Sequence, residues 1–116
     1  MRAGIGSPIR REAVFGGAGE LLIWNLIEGT PQAPFASAAA CQLAPGGHIG
    51  EFKEERNPEL IIVIEGKGTA LVNGSAKGLS EGDSLQIEVG ATLALKNDSA
   101  EVPLRYLVVK GNAAGA

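Results

Sequence analysis

Between Pro58 and Gly66 the chain reads Glu59, then Leu60, Ile61, Ile62, Val63 and Ile64, then Glu65. Seven residues are too few for a typical helix. The β-branched content and the flanking Pro and Gly specify a strand that must be buried. Upstream, Gly46 and Gly47 precede a second stretch of strand character from about His48 to Glu54, and Arg56-Asn57-Pro58 separates the two. The pair is expected to form a β-hairpin, with any chemistry of the chain placed here and the remainder acting as its container.

The same punctuation recurs along the chain. Glu20 to Ile27 is a strand containing the only Trp, Trp24. Phe35 to Leu43 is rich in Ala, which favours helix by propensity, but its place just before Pro45-Gly46 argues for strand. Asn73-Gly74 supplies the two residues that tolerate positive φ in a type I′ hairpin turn. Ser84 to Val89, Ala91 to Asn97 and Leu104 to Lys110 complete a series of about eight to ten short strands. Seventeen Gly and six Pro among 116 residues fit such turns, and with only 4% aromatics the core must be built from Leu, Ile, Val and Ala. No amphipathic helix is evident, so the fold class is all-β, a sandwich or barrel that protects its strand edges.

Residues 1–19 are expected as an N-terminal arm or mobile tail, with strand character only at Val14-Phe15. Residues 20–110 form a single barrel, and 111–116 a disordered tail. Ten basic and thirteen acidic residues give a net charge of −3 without a basic stripe, which argues against nucleic acid. No apolar run reaches the ~20 residues of a membrane span. The N-terminus lacks the apolar stretch of a signal peptide, and Cys41 has no second Cys to pair with. A cytoplasmic location is the expectation.

The hairpin resembles the first signature of the cupins: Gly, five residues, His, any residue, His, three or four residues, Glu, six residues, Gly. Gly46, Phe52, Glu54, Glu59 and Gly66 keep that spacing, with Phe52 and Glu54 at the two His positions. Glu81 to Asn97 resembles the second signature, with Gly82-Asp83, Gly90 and Asn97 in place and Leu93 where a third metal-binding His stands. The resemblance covers roughly Ala38 to Lys110. It implies a double-stranded β-helix, or jelly-roll barrel, whose usual metal ligands are mostly replaced. Cupins of this kind are commonly dimers, so a homodimer is expected.

If Phe52 and Glu54 point into the barrel, strand alternation turns Gly50 and His48 inward as well, and Ile49, Glu51 and Lys53 outward. On the returning strand Glu59, Ile61 and Val63 should point inward, and the corner brings Glu54 and Glu59 together. Two carboxylates and two apolar groups are a poor donor set for a transition metal, so no cofactor is expected. His48 is the fallback third ligand with Glu54 and Glu59, but six residues of straight strand place it about 20 Å from Glu54. The expected function is binding of a small organic molecule in an apolar barrel cavity lined by Phe52, Leu93, Ile61, Val63, Trp24 and Tyr106, without a tightly bound metal. The alternatives are a metal-independent isomerase, epimerase or cyclase with Glu54 and Glu59 as catalytic groups, or a metallo-cupin with a displaced site. These residues also have bland readings: Glu54, with Glu55 and Arg56, and Glu59 as a solvated corner, His48 as a loop histidine, and Trp24, Phe52 and Tyr106 as plain core.

Overall fold

A computed structural model describes residues 5–112 of the 116-residue chain. Ten strands make two antiparallel sheets. In chain order they are β1 (Ile5–Glu12), β2 (Glu20–Asn25), β3 (Phe35–Leu43), β4 (His48–Lys53), β5 (Glu59–Glu65), β6 (Lys67–Val72), β7 (Ser75–Ser80), β8 (Ser84–Ile87), β9 (Thr92–Asn97) and β10 (Leu104–Gly111). The first sheet has the order β1-β2-β3-β10-β5-β8 and the second β4-β9-β6-β7. Every paired neighbour runs antiparallel, and successive strands cross between the sheets as in a jelly roll.

The run that was most constraining in sequence lies inside the larger sheet, with β10 on one side and β8 on the other. Its alternation is as expected: Glu59, Ile61 and Val63 are buried, while Leu60 and Glu65 are exposed. Ala-rich β3 is a strand because β2 and β10 pair along both its edges, and those ladders outweigh its helix propensity. Asn73 and Gly74 hold φ of 50° and 80°, with Val72 paired to Ser75, which is the two-residue hairpin their chemistry favours.

Two local expectations fail. The strand character assigned to Val14-Phe15 belongs instead to Ile5–Glu12, which pairs with β2, and Val14–Gly16 form a short 3-10 turn. That turn is pressed onto β4. Ala18 and His48 exchange backbone hydrogen bonds at 3.0 and 2.9 Å, and a Cβ on Gly50 would sit 1.9 Å from the Phe15 carbonyl oxygen. Second, β4 does not alternate along its whole length. Ile49 pairs with Leu95 and Phe52 with Leu93, so three steps on β4 match two on β9. This bulge reverses the parity. Ile49 is buried and His48 exposed, the opposite of what counting back from Phe52 by twos requires.

The interior is one apolar cluster from both sheets, including Leu21, Leu43, Ile61, Val63, Ile87, Leu95, Leu104 and Tyr106. It is closed at one end by Asn97, only 1% exposed. The Asn97 amide donates to the carbonyls of Leu43, Ala44 and Val102 at 2.9 to 3.2 Å, and its carbonyl accepts from the Ser99 amide. One side chain thus ties the end of β3 at Leu43 to the loops that follow β3 and β9.

Candidate functional site

Glu54 follows β4 and Glu59 opens β5. The corner between them is held from two directions. The Glu54 amide donates to the Ala91 carbonyl, and the Glu54 carbonyl accepts from Gly90. Asn57 donates through its side chain to the Gly111 carbonyl, whose own amide donates back to Pro58. Both carboxyls are thereby carried inward. Glu54 is 6% and Glu59 5% exposed, so the solvated-corner reading does not describe them. The side chains of Glu54 and Glu59 hydrogen-bond each other. Each keeps an Oε2 that is buried without a partner.

Burial pushes the Glu59 carboxyl up to about 8, and the hydrogen bond and negative charge of Glu54 push in the same direction. Lys110, directly across the ladder from Glu59 on β10, opposes them. Its Nζ lies 3.9 Å from Glu54 Oε1, at the limit of an ion pair. Two carboxyls in contact in a poorly solvated place cannot both ionise cheaply, so the pair holds a proton at neutral pH. Lys110 was not singled out in sequence because a lysine at a strand end reads as solvated. The signal was its parity with Leu104, Tyr106 and Val108 along β10.

Deeper in the barrel Tyr106 and Cys41 are partners across the ladder, both buried. Burial pushes the Cys41 thiol up to about 12 and raises the Tyr106 phenol well above its usual value. Neither ionises in the folded state, so Cys41 is a small core residue and not a nucleophile.

The remaining expected site residues separate into four groups. Ile61, Val63, Leu93 and Tyr106 are 1 to 3% exposed, which leaves no water-sized space against most of their surface, and they pack as core. Phe52 packs against that core and stacks on Phe15, with ring centroids 4.5 Å apart. Trp24 has the opposite parity to Leu21 and Ile23, the β2 residues that meet the core, and lies on the outer face of the larger sheet. His48 is exposed, away from the buried carboxyls. Among the described residues no three His, Cys, Asp or Glu side chains are arranged to hold a metal ion. A groove of about 360 Å³ lies beside Glu59, and its lining also includes Pro34, Phe35, Pro58, Leu60 and Val109.

A barrel of two antiparallel sheets, with the hairpin signature at its acidic end, defines a class. The chain belongs to the cupin domain family, whose pattern matches residues 40–110. No curated protein matches it. Among solved structures it is similar to a predicted oxalate decarboxylase from Thermotoga maritima, at 24% identity over 97% of both chains and a TM-score of 0.87. It is also similar to a cupin 2 conserved barrel domain protein from Salinispora arenicola, at 25% identity over 81% of this chain and 77% of that one, TM-score 0.69. An RmlC-like cupin from Shewanella frigidimarina matches at 16% identity over 93% of this chain and 86% of that one, TM-score 0.70. The first and third likenesses are of fold alone. The metal of many cupins does not fit the residues here. Phe52 and Leu93 offer no lone pair, and two carboxyls sharing a proton are a poor first-row transition-metal site.

Proposed function

We propose that this cupin domain binds a small organic molecule at the Glu54–Glu59 end of its barrel, without a tightly bound metal. The reading rests on one observation: two buried carboxyls in contact, each with an oxygen lacking a hydrogen-bond partner. Unpaired buried acceptors are costly, and a ligand hydroxyl or amine would satisfy them. The groove beside Glu59 has the size and the mostly apolar lining of a small-ligand site. A pair that already carries negative charge favours a neutral or cationic ligand and disfavours a small dicarboxylate. The activity in the Thermotoga neighbour's description therefore gains no support from this end of the barrel. A thermal-shift screen of small alcohols, amines and dicarboxylates tests the reading. Stabilisation by a hydroxyl or amine compound, lost in Glu54→Gln and Glu59→Gln together, supports it. Stabilisation by dicarboxylates alone, or by no compound, sinks it.

A second reading is favoured by the raised proton affinity of Glu59. A carboxyl that titrates near 8 can both give and take a proton near neutral pH. The pair then acts as general acid and base in a metal-independent isomerisation, epimerisation or cyclisation. If so, Glu59→Gln keeps ligand binding and loses turnover. A variant that loses binding and turnover in parallel leaves only the binding role.

A further inference from the structure

The inward-facing rows of the larger sheet are not closed to the same degree. Deep in the barrel the ladders set Cys41 beside Tyr106 and Tyr106 beside Val63, and all three are buried. One row nearer the Glu54–Glu59 end, Ala39 pairs with Val108, and both stay partly exposed although they pack on the core. At the rim Lys110 lies across the ladder from Ser37 on one side and from Glu59 on the other. Ser37 is exposed, the Lys110 side chain is 37% exposed, and Glu59 is buried. The barrel is therefore open at this end over β3 and β10. The carboxyl pair stands on the inner wall of the opening and an ammonium at its lip.

We infer that Lys110 makes the ligand of this mouth a zwitterion: an α-amino acid with a small aliphatic side chain, its ammonium on the Glu54–Glu59 carboxyls and its carboxylate on Lys110. This rests on the reading that the carboxyl pair meets the ligand, and it adds what the rest of that ligand must be. The two Oε2 atoms, on side chains 6% and 5% exposed, lack partners and call for a donor. Lys110 Nζ sits 3.9 Å from Glu54 Oε1, beyond hydrogen-bond length, so the acids do not use up its donors. A plain amine satisfies the carboxyls but sets a cation beside the Lys110 ammonium. A plain carboxylate reaches Lys110 but lies beside the acids. A molecule with both charges on neighbouring groups places positive against negative at each position. Its net charge is zero, which suits a carboxyl pair that is already negative. Ala39 and Val108 supply an apolar wall for an aliphatic side chain. The exposed Ser37, across the ladder from Lys110, adds a hydroxyl donor for the same carboxylate.

Isothermal titration calorimetry of the full chain at neutral pH, with valine, isobutylamine and isovalerate, tests this. The two analogues are valine without its carboxylate and valine without its amine. Valine is expected to bind about tenfold more tightly than either, the worth of one charge-assisted hydrogen bond. Lys110→Met is expected to bind isobutylamine at least as well as the parent protein and to lose the advantage of valine over it. If Lys110→Met fails to fold, Lys110→Gln makes the same test. Valine that binds the parent protein no more tightly than isobutylamine overturns the inference. If isobutylamine still binds, and is lost in Glu54→Gln and Glu59→Gln together, the carboxyl pair keeps its binding role and only the zwitterion falls. A preference for valine that survives the loss of Lys110 also overturns the inference. So does binding of none of the three compounds, which leaves the wider reading to the thermal-shift screen.

Discussion

Glu54 and Glu59 meet inside the barrel from the two sides of the Arg56–Pro58 corner, and their carboxyls are each other's hydrogen-bond partners. The contact combines two costs, desolvation and like charge, and both are relieved by a proton. Most of the distinctive behaviour expected of this protein follows from it.

The first consequence is in stability against pH. Glu59 titrates near 8 when folded and near its ordinary 4.5 when unfolded, so the folded state holds the extra proton between those values. Stability is then fully present below about 4.5 and declines as pH rises through about 8. Melting temperatures measured from pH 5 to 9 should fall, and Glu59→Gln should flatten the slope. A parent protein that grows more stable across this window contradicts the shared proton.

Lys110 opposes the rise. Lys110→Met should move the titration of Glu59 to still higher pH, read from its side-chain carboxyl carbon by NMR. An unchanged or lowered midpoint would show that the ammonium does not act on the pair.

Asn97 should be among the most sensitive positions for folding. Asn97→Leu strands the carbonyls of Leu43, Ala44 and Val102, at a cost of about 3 kcal/mol. Asn97→Asp should fare no better, because a buried carboxylate cannot donate to those oxygens. Urea unfolding checks both, and a loss within error of zero for either would remove Asn97 from the list of structural keystones.

At Gly50 the limit is space. A methyl group there runs into the Phe15 carbonyl, on a residue already held at φ 51°. Gly50→Ala should cost about 2 kcal/mol and lift the Val14–Gly16 turn off β4, separating Phe15 from Phe52. Faster hydrogen exchange at the Ala18 and His48 amides would report the release. Unaltered exchange with full stability would mean that the turn yields freely.

Cys41 should resist a thiol reagent such as DTNB in the native state and react only as the protein unfolds, because burial holds its proton on. Labelling at the rate of a free thiol in native buffer would contradict the buried geometry.

The barrel and much of its hairpin order were legible because the relevant forces are local. Asn73-Gly74 closes a two-residue turn through its own φ angles, and parity along β5 is a property of five consecutive residues. The meeting of Glu54 with Glu59 was legible for the same reason, since only a corner separates them. Ile5–Glu12 was missed as a strand because its apolar content is low and its pairing depends on β2. Trp24 was grouped with the barrel lining by its size, whereas its face is set by the parity of Leu21 and Ile23.

By itself the sequence determined an all-β barrel and an acidic corner at the positions where related barrels carry imidazoles. Only the tertiary structure decided the rest. The β4 bulge turns His48 out and Ile49 in, the partnership of Lys110 with the acids depends on a β5–β10 register spanning some fifty residues, and the filling of the interior depends on side chains from both sheets. Turns and alternation are fixed by neighbours along the chain, whereas register, bulges and packing are settled between segments that meet only once the chain has folded.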